Sequence, residues 1–477
     1  MWLTWLTWVG CGPEPSAPPT VSFGAPFEPE CAPNPAVPTV LDCRWTSAAS
    51  GAGWVEYWRD GEAVRSTAHG PPGTAHDLAV LGLKAGASYH VRAVVSDGEA
   101  RVEGPVITHV VPDVPPEFPV LSPESVDPAR SELVGGYVLT SLVLPADPPY
   151  SVVVIVDSDG DYVWWTRTDG NRLVIAPKLA RDGRSVWFLA TDIAWEEDVG
   201  QIYRVALDGD SASTTRALLG HHAMLENADG SLTWIGFEYR TVDGTDWAAD
   251  VLRTGPEGSD GSTAPTQEFS WLDAYSVDPW VPDPNGASVS LGDGVEWTHS
   301  NSLMAIDDDS FYVMSRLLDC VIRVDRASGR IVWQLGGQYS DFTHPDGTSV
   351  WRTLRDNDLF SHAHMSDLWD GGMVVFDNGS YHAAPPRSRA VEYRWDESAR
   401  TVEEVWSFDE PDGGYTGSMG DVRRLAGGNT LIAWSSLAWM NEVTPEGETV
   451  WALRMPAGAA IVGRVTPLAA PLDGLAP

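Results

Sequence analysis

From about residue 125 onward the chain repeats one local pattern. A polar turn containing glycine leads into a short run of alternating apolar positions that ends on tryptophan or phenylalanine. The pattern stands as DSDGDYVW at 157–164, RDGRSVW at 181–187, NADGSLTW at 227–234 and RASGRIVW at 326–333. It returns as DGGMVVF at 370–376, AGGNTLIAW at 426–434 and PEGETVW at 445–451. Period-two alternation marks a strand with one buried face, and a glycine among polar residues marks the turn of a hairpin. Hairpins repeated around a ring, each covering its neighbour's apolar face, predict a β-propeller. At roughly 50–60 residues per blade, the span 125–470 holds six blades. The DSDGD at 157–161 shares its spacing with part of a calcium loop. It lacks the remaining ligands and the distal glutamate, so a hairpin turn explains it better.

Residues 20–112 show the same period in a smaller unit. Strands are expected at 39–45, 54–58, 75–81, 89–95 and 106–111, separated by turn signals at 60–61, 71–73 and 97–98. These make a small β-sandwich. A proline-rich linker, DVPPEFP at 113–119, follows, and its prolines keep it extended and out of a sheet. The expected organisation is therefore all-β: leader and tether over 1–19, sandwich over 20–112, linker over 113–124 and propeller over 125–477.

Composition narrows the function. The 477 residues carry a formal charge of −37 and no run of Lys or Arg, which excludes a nucleic-acid-binding face. An anionic substrate would need a local positive pocket against this field. The N-terminus, MWLTWLTWVGC, is apolar, short and ends in a small residue before Cys11. It resembles a bacterial lipobox, which would put a lipid on Cys11 and make the protein exported and anchored to a membrane. The following GPEPSAPP is a stiff tether. No later segment has the roughly 20 apolar residues needed to span a bilayer. Cys31 and Cys43 are close enough for a small-loop disulfide in an oxidising compartment, which leaves Cys320 as a buried thiol.

Five of the 11 histidines fall in three short motifs, GHH at 220–222, WTHSNS at 297–302 and FSHAH at 360–364, each just before a hairpin. In a propeller such positions converge on one end of the central channel. Around them the order is specific: HSNSL from His299, YVMSR ending at Arg316, SGRIVWQLGG at 328–337, FSHAH ending at His364, FDNG at 376–379, Ser388-Arg389, and LAGGNTLI at 425–432. This series resembles the bacterial arylsulfate sulfotransferase family, over roughly 125–470 and most strongly over 297–379. Residues 81–95, LGLKAGASYHVRAVV, resemble a fibronectin type III domain, in which a tyrosine at a strand start bonds back to the preceding loop.

The sulfotransferase resemblance implies a six-bladed propeller that moves a sulfuryl group from an aryl sulfate to a phenol through a histidine, without PAPS and with neither cofactor nor metal. The nucleophile maps to His364, with His362 the alternative, and the surrounding donors to His222, His299, Asn301 and Arg316. The family usually has glutamine before its nucleophile, where this chain has Ala363. The chemistry fits the residue types. A neutral imidazole is a competent nucleophile, Arg316 offers a planar fork to sulfonate oxygens and Asn301 an amide donor. His222 and His299 would act as cations or as acid and base toward the phenol. Asp377 and Asn378 read as turn residues that shape the site. Two other readings stand beside this one. The same His222, His299 and His364 could hold a metal in a hydrolase, although no supporting Asp or Glu is readable behind them. Alternatively, the propeller is a non-catalytic binding module.

Overall fold

A computed structural model describes residues 27–168, 172–192, 200–277, 290–291, 294–353, 355–382, 384–469 and 472. The Cys11 segment and its tether lie outside the described residues. The chain divides into two compact units. One comprises residues 1–32, 42–78 and 89–109, and the other residues 33–41, 79–88 and 110–477.

The first unit is built on a connected set of antiparallel strands in which Leu41–Trp58 pairs with Arg65–Ser66 and with Ser88–Ser96. The two strands expected at 39–45 and 54–58 are thus one. The small residues between them keep the strand's alternation of buried and exposed positions. Glycines there allow close neighbours: a Cβ on Gly51 would stand 2.7 Å from the Ser96 carbonyl oxygen. Cys31 and Cys43 form a disulfide, and Cys320, in the second unit, is buried.

The second unit is a six-bladed propeller. The first blade holds Tyr137–Leu144, Tyr150–Asp157 and Tyr162–Arg167. The second is built on Ser185–Asp192 and Gln201–Ala206, and the third on Gly220–Glu226, Ser231–Val242 and Thr245–Pro256. Ser300–Met304 opens the fourth, His364–Trp369 the fifth and Asp421–Arg424 the sixth. The opening strands of the third to sixth blades contact one another in succession around the channel.

The ring closes twice. Ile461–Val462 and Thr466–Leu468 pair with Tyr137–Leu144, which gives the first blade a strand from the C-terminal end. Ser122–Ser125 pairs with Thr449–Arg454 on the sixth blade, so the expected linker ends in a strand. All seven glycine-turn motifs are hairpins; Gly160 (φ 84°) and Gly329 (φ 65°) adopt the left-handed conformation these turns require. Their closing aromatics Trp164, Trp187, Trp234, Trp333, Trp434 and Trp451 are at most 2% exposed. The repeat that announces the turns therefore also supplies the core of the blades. The LAGGNTLI motif serves closure: Asn429 Nδ2 donates to the Arg130 carbonyl and to Glu442 Oε1.

Candidate active site

Three inner strands begin with the same irregularity. Pairing shifts by a bulge between His221 and Met224, between Ser300 and Ser302, and between His364 and Ser366. A bulge re-aims side chains at the end of a strand. His222 (φ 55°), His299 (φ 47°) and His362 (φ 53°) lie in the left-handed region, which costs a non-glycine residue about 1–3 kcal/mol. The pairing Ser300↔Ser315 brings Arg316 to the same end, where its backbone N–H donates to the His299 carbonyl (3.1 Å). The pairing His364↔Phe376 does the same for Asn378.

His364 is 3% exposed. Its Nδ1 lies 2.7 Å from Asn378 Oδ1 and 3.2 Å from the His362 carbonyl, both acceptors. The amide cannot be turned round, because Asn378 Nδ2 donates to the carbonyls of Thr416 (2.6 Å) and Met419 (3.0 Å). Nδ1 therefore carries the proton, and Nε2 keeps its lone pair. Burial first, then the nearby Arg316 charge, pushes the His364 imidazole well below its usual range, with the Asn378 bond opposing. The ring is neutral at neutral pH. The family motifs around it are braces. Asp377 Oδ1 accepts the N–H groups of Ser361 and Gly379, Arg389 Nε donates to Asp377 Oδ2, and Ser388 Oγ donates to the Asn378 carbonyl.

His299 is held differently. Its Nδ1 lies 2.6 Å from Glu296 Oε1, and Glu296 is buried. Glu296 arrives there because Gly294–Glu296 adds to the third blade as a parallel strand, with Ala248↔Glu296 in register. A carboxylate beside Nδ1 fixes the tautomer and orientation of the ring, as a carboxylate does behind an acid–base histidine. The His222 and His299 rings meet edge to face at 4.9 Å. Behind His222, Nδ1 lies 2.8 Å from His221 Nδ1, and His221 Nε2 lies 3.1 Å from Asp250 Oδ1. Burial, then His299, His221 and His364, drives the His222 imidazole well below its usual range. His222 is therefore neutral, which removes the cationic role allowed for it. Asp250 holds its charge despite burial, through His221, Thr298 and the Ser300 N–H.

The structure thus brings His222, His299, His364 and Arg316 together, the last three interacting electrostatically with His222. The Arg316 Nε is buried and has no hydrogen-bond partner among the described residues, a donor free for an anionic oxygen. Asn301 has a positioning contact. Its Nδ2 donates to the Ala363 carbonyl (2.9 Å), tying the fourth blade to the turn that carries His364, so it positions that turn. His362 stands edge to face with Tyr381 at 4.7 Å, and its backbone N–H donates to Asp319 Oδ1.

Two carboxylates, Glu296 and Asp250, do stand behind the histidines, contrary to the sequence reading. Even so, the three imidazoles do not form a tight ligand set. Among the described residues, the groups of that kind with ligand atoms all within 4.8 Å are Asp157, Asp159 and Asp161. There the Lys84 ammonium sits 2.8–2.9 Å from all three carboxylates, so the DSDGD turn holds a lysine.

Comparison with known proteins adds a family. Residues 140–454 match the model described as arylsulfotransferase (ASST). No curated protein matches the chain. Solved structures share little more than 10% identity. The nidogen/laminin complex is 12% identical, covers 70% of this chain and 98% of its own, and has a TM-score of 0.38. Streptogramin B lyase is 9% identical over 72% and 90%, at 0.36. Apo AztD from Citrobacter koseri is 8% identical over 70% and 99%, at 0.35. These scores carry no argument about the site.

Proposed function

Because the chain belongs to the arylsulfotransferase family, whose activity is aryl sulfate sulfotransfer, we propose that it works through a sulfohistidine on His364. Nε2 attacks the sulfur of an aryl sulfate and the sulfur–oxygen bond to the ring breaks. The phenolate leaves with a proton from the His299 imidazolium. An acceptor phenol then attacks the same sulfur, the sulfur–nitrogen bond breaks, and His299 takes the phenol's proton. Donor and product are each a monoester, so no further reactant is needed. Sulfuryl transfer has a loose transition state with charge on the equatorial oxygens, and the free Arg316 Nε is suited to meet it. His222, neutral and backed by His221 and Asp250, completes the wall.

The observation that supports this reading most is the fixed tautomer of His364: a neutral ring with Nδ1–H on Asn378 and an Nε2 that has no hydrogen-bond partner among the described residues. The test is transfer from p-nitrophenyl sulfate to phenol without PAPS. We expect His364→Ala to lower turnover by at least about 10⁴-fold while His362→Ala keeps it. Wild-type-like turnover in His364→Ala contradicts the assignment. We further read the N-terminal strands as a fibronectin-like spacer and the chain as exported on a Cys11 lipid, a reading that the Cys31–Cys43 disulfide supports.

A further inference from the structure

Deeper in the channel lies a second polar cluster that the proposed reaction does not use. Lys178 comes from the second blade, Arg423 and Asp421 from the sixth, and Arg464 from the closing segment between the two C-terminal strands. Their partners come from the remaining inner strands. Lys178 Nζ donates to the Met224 carbonyl (2.7 Å), Arg464 Nη2 to Ser302 Oγ (3.1 Å) and Arg423 Nη1 to the Ser366 carbonyl (3.2 Å). Met224, Ser302 and Ser366 lie two or three residues past His222, His299 and His364. At about 3.3 Å per residue this sets the cluster about 7–10 Å below the imidazoles.

The charges there do not balance. Asp421 is fully buried and sits 3.3 Å from Arg423 Nε and 3.9 Å from Arg464 Nε. Asp367, partly exposed, is 3.8 Å from Arg423 Nη1 and also accepts the Arg424 backbone N–H (3.1 Å). Among the described residues no carboxylate lies within ion-pair distance of Lys178. Its ammonium has one hydrogen bond to a carbonyl and two N–H bonds left over. Arg464 is 2% exposed, and its Nε makes no hydrogen bond among the described residues. Burial and the repulsion from Arg423 push the Arg464 guanidinium down to about 9. Burial and both arginines push the Lys178 ammonium well below its usual range. Three basic groups face one buried carboxylate and one more distant one. Buried charge is retained only when it is paired. As a residue Lys178 is only partly buried.

We propose that the channel binds a small tetrahedral oxyanion, sulfate or phosphate, between the Lys178 ammonium and the Arg464 guanidinium. Such an ion matches the donors left over and supplies the missing negative charge. It also answers how a chain of charge −37 admits an anion to its axis: the positive charge is internal, placed along the channel by chain closure. The site does not depend on the sulfohistidine reading.

The test is thermal melting of the full chain titrated with sodium sulfate, sodium phosphate and sodium chloride at matched ionic strength. It is run on the wild type, Lys178→Met and Lys178→Arg, with a selenate-soaked crystal read by anomalous scattering. We expect a saturable rise with sulfate and phosphate and little with chloride. Lys178→Met should weaken the apparent affinity by about tenfold or more, Lys178→Arg should keep it, and selenate should lie within hydrogen-bond reach of Lys178 Nζ. An equal rise in wild type and Lys178→Met, a chloride response matching sulfate, or no selenate beside Lys178 each overturns the proposal.

Discussion

His364 and His299 occupy neighbouring turns at one end of the same channel, yet their Nδ1 atoms meet different groups. His364 donates to the amide oxygen of Asn378, and His299 faces the carboxylate of Glu296. An amide fixes the tautomer without adding charge, so the ring stays neutral and its Nε2 stays a nucleophile. A carboxylate fixes it and brings a negative charge to the back of the ring, which suits a group that takes up and returns a proton. One fold thus tunes two histidines to two tasks by the choice of second atom. Asn301 couples them, since it leaves the His299 turn and holds the carbonyl just before His364.

The comparison breaks first at the amide. Asn378→Ala removes the acceptor that orders His364, and we expect both half-reactions to slow by about 10²-fold. The release of p-nitrophenol in a single turnover, and the transfer to phenol in a second mixing, measure them separately. Glu296→Gln should act mainly on the second. It keeps a hydrogen bond to His299 and removes the charge, so transfer to phenol falls by roughly 10–100-fold. The nitrophenol burst, whose weakly basic leaving group depends less on the His299 proton, falls less. Equal losses in both steps would erase the division of labour.

The sequence revealed the blades because their signal is local. A polar turn with glycine and an alternating run lie within eight or nine residues, and all seven became hairpins around buried tryptophans or phenylalanine. His222, His299, His364 and Arg316 were legible for a related reason: each sits at a turn, and turns at equivalent positions in a ring converge. Their supports were not. Glu296 matters only because of a parallel pairing with Ala248, 48 residues away, and Asp250 lies inside a strand with no local mark. Asn378 read as a turn residue, since nothing in FDNG tells which acceptor its side chain will face. The channel cations escaped notice because Lys178, Arg423 and Arg464 meet only when the C-terminal segment closes the ring.

A smaller effect sharpens the same contrast through pH. The His364 and His222 values are pushed below their ordinary value near 6.5. Their neutral forms favour the folded state, so this contribution to stability is fully present above about pH 6.5. It is lost as pH falls through the lower folded values. The acid limb of the nitrophenol burst should accordingly lie below about pH 6.5, and an acid limb at or above that pH would contradict the neutral-nucleophile account. His364→Gln should flatten the acid loss of stability seen in melting curves between about pH 6.5 and 5.

The most direct test of the account is to find the sulfuryl group itself. The protein is incubated with p-nitrophenyl sulfate and no acceptor, quenched at alkaline pH, digested and sequenced by mass spectrometry. The account predicts one sulfuryl group per chain, on His364, discharged by added phenol and absent from His364→Ala. A sulfuryl group on His362 or another residue, or nitrophenol release that leaves no adduct while transfer to phenol proceeds, would contradict it.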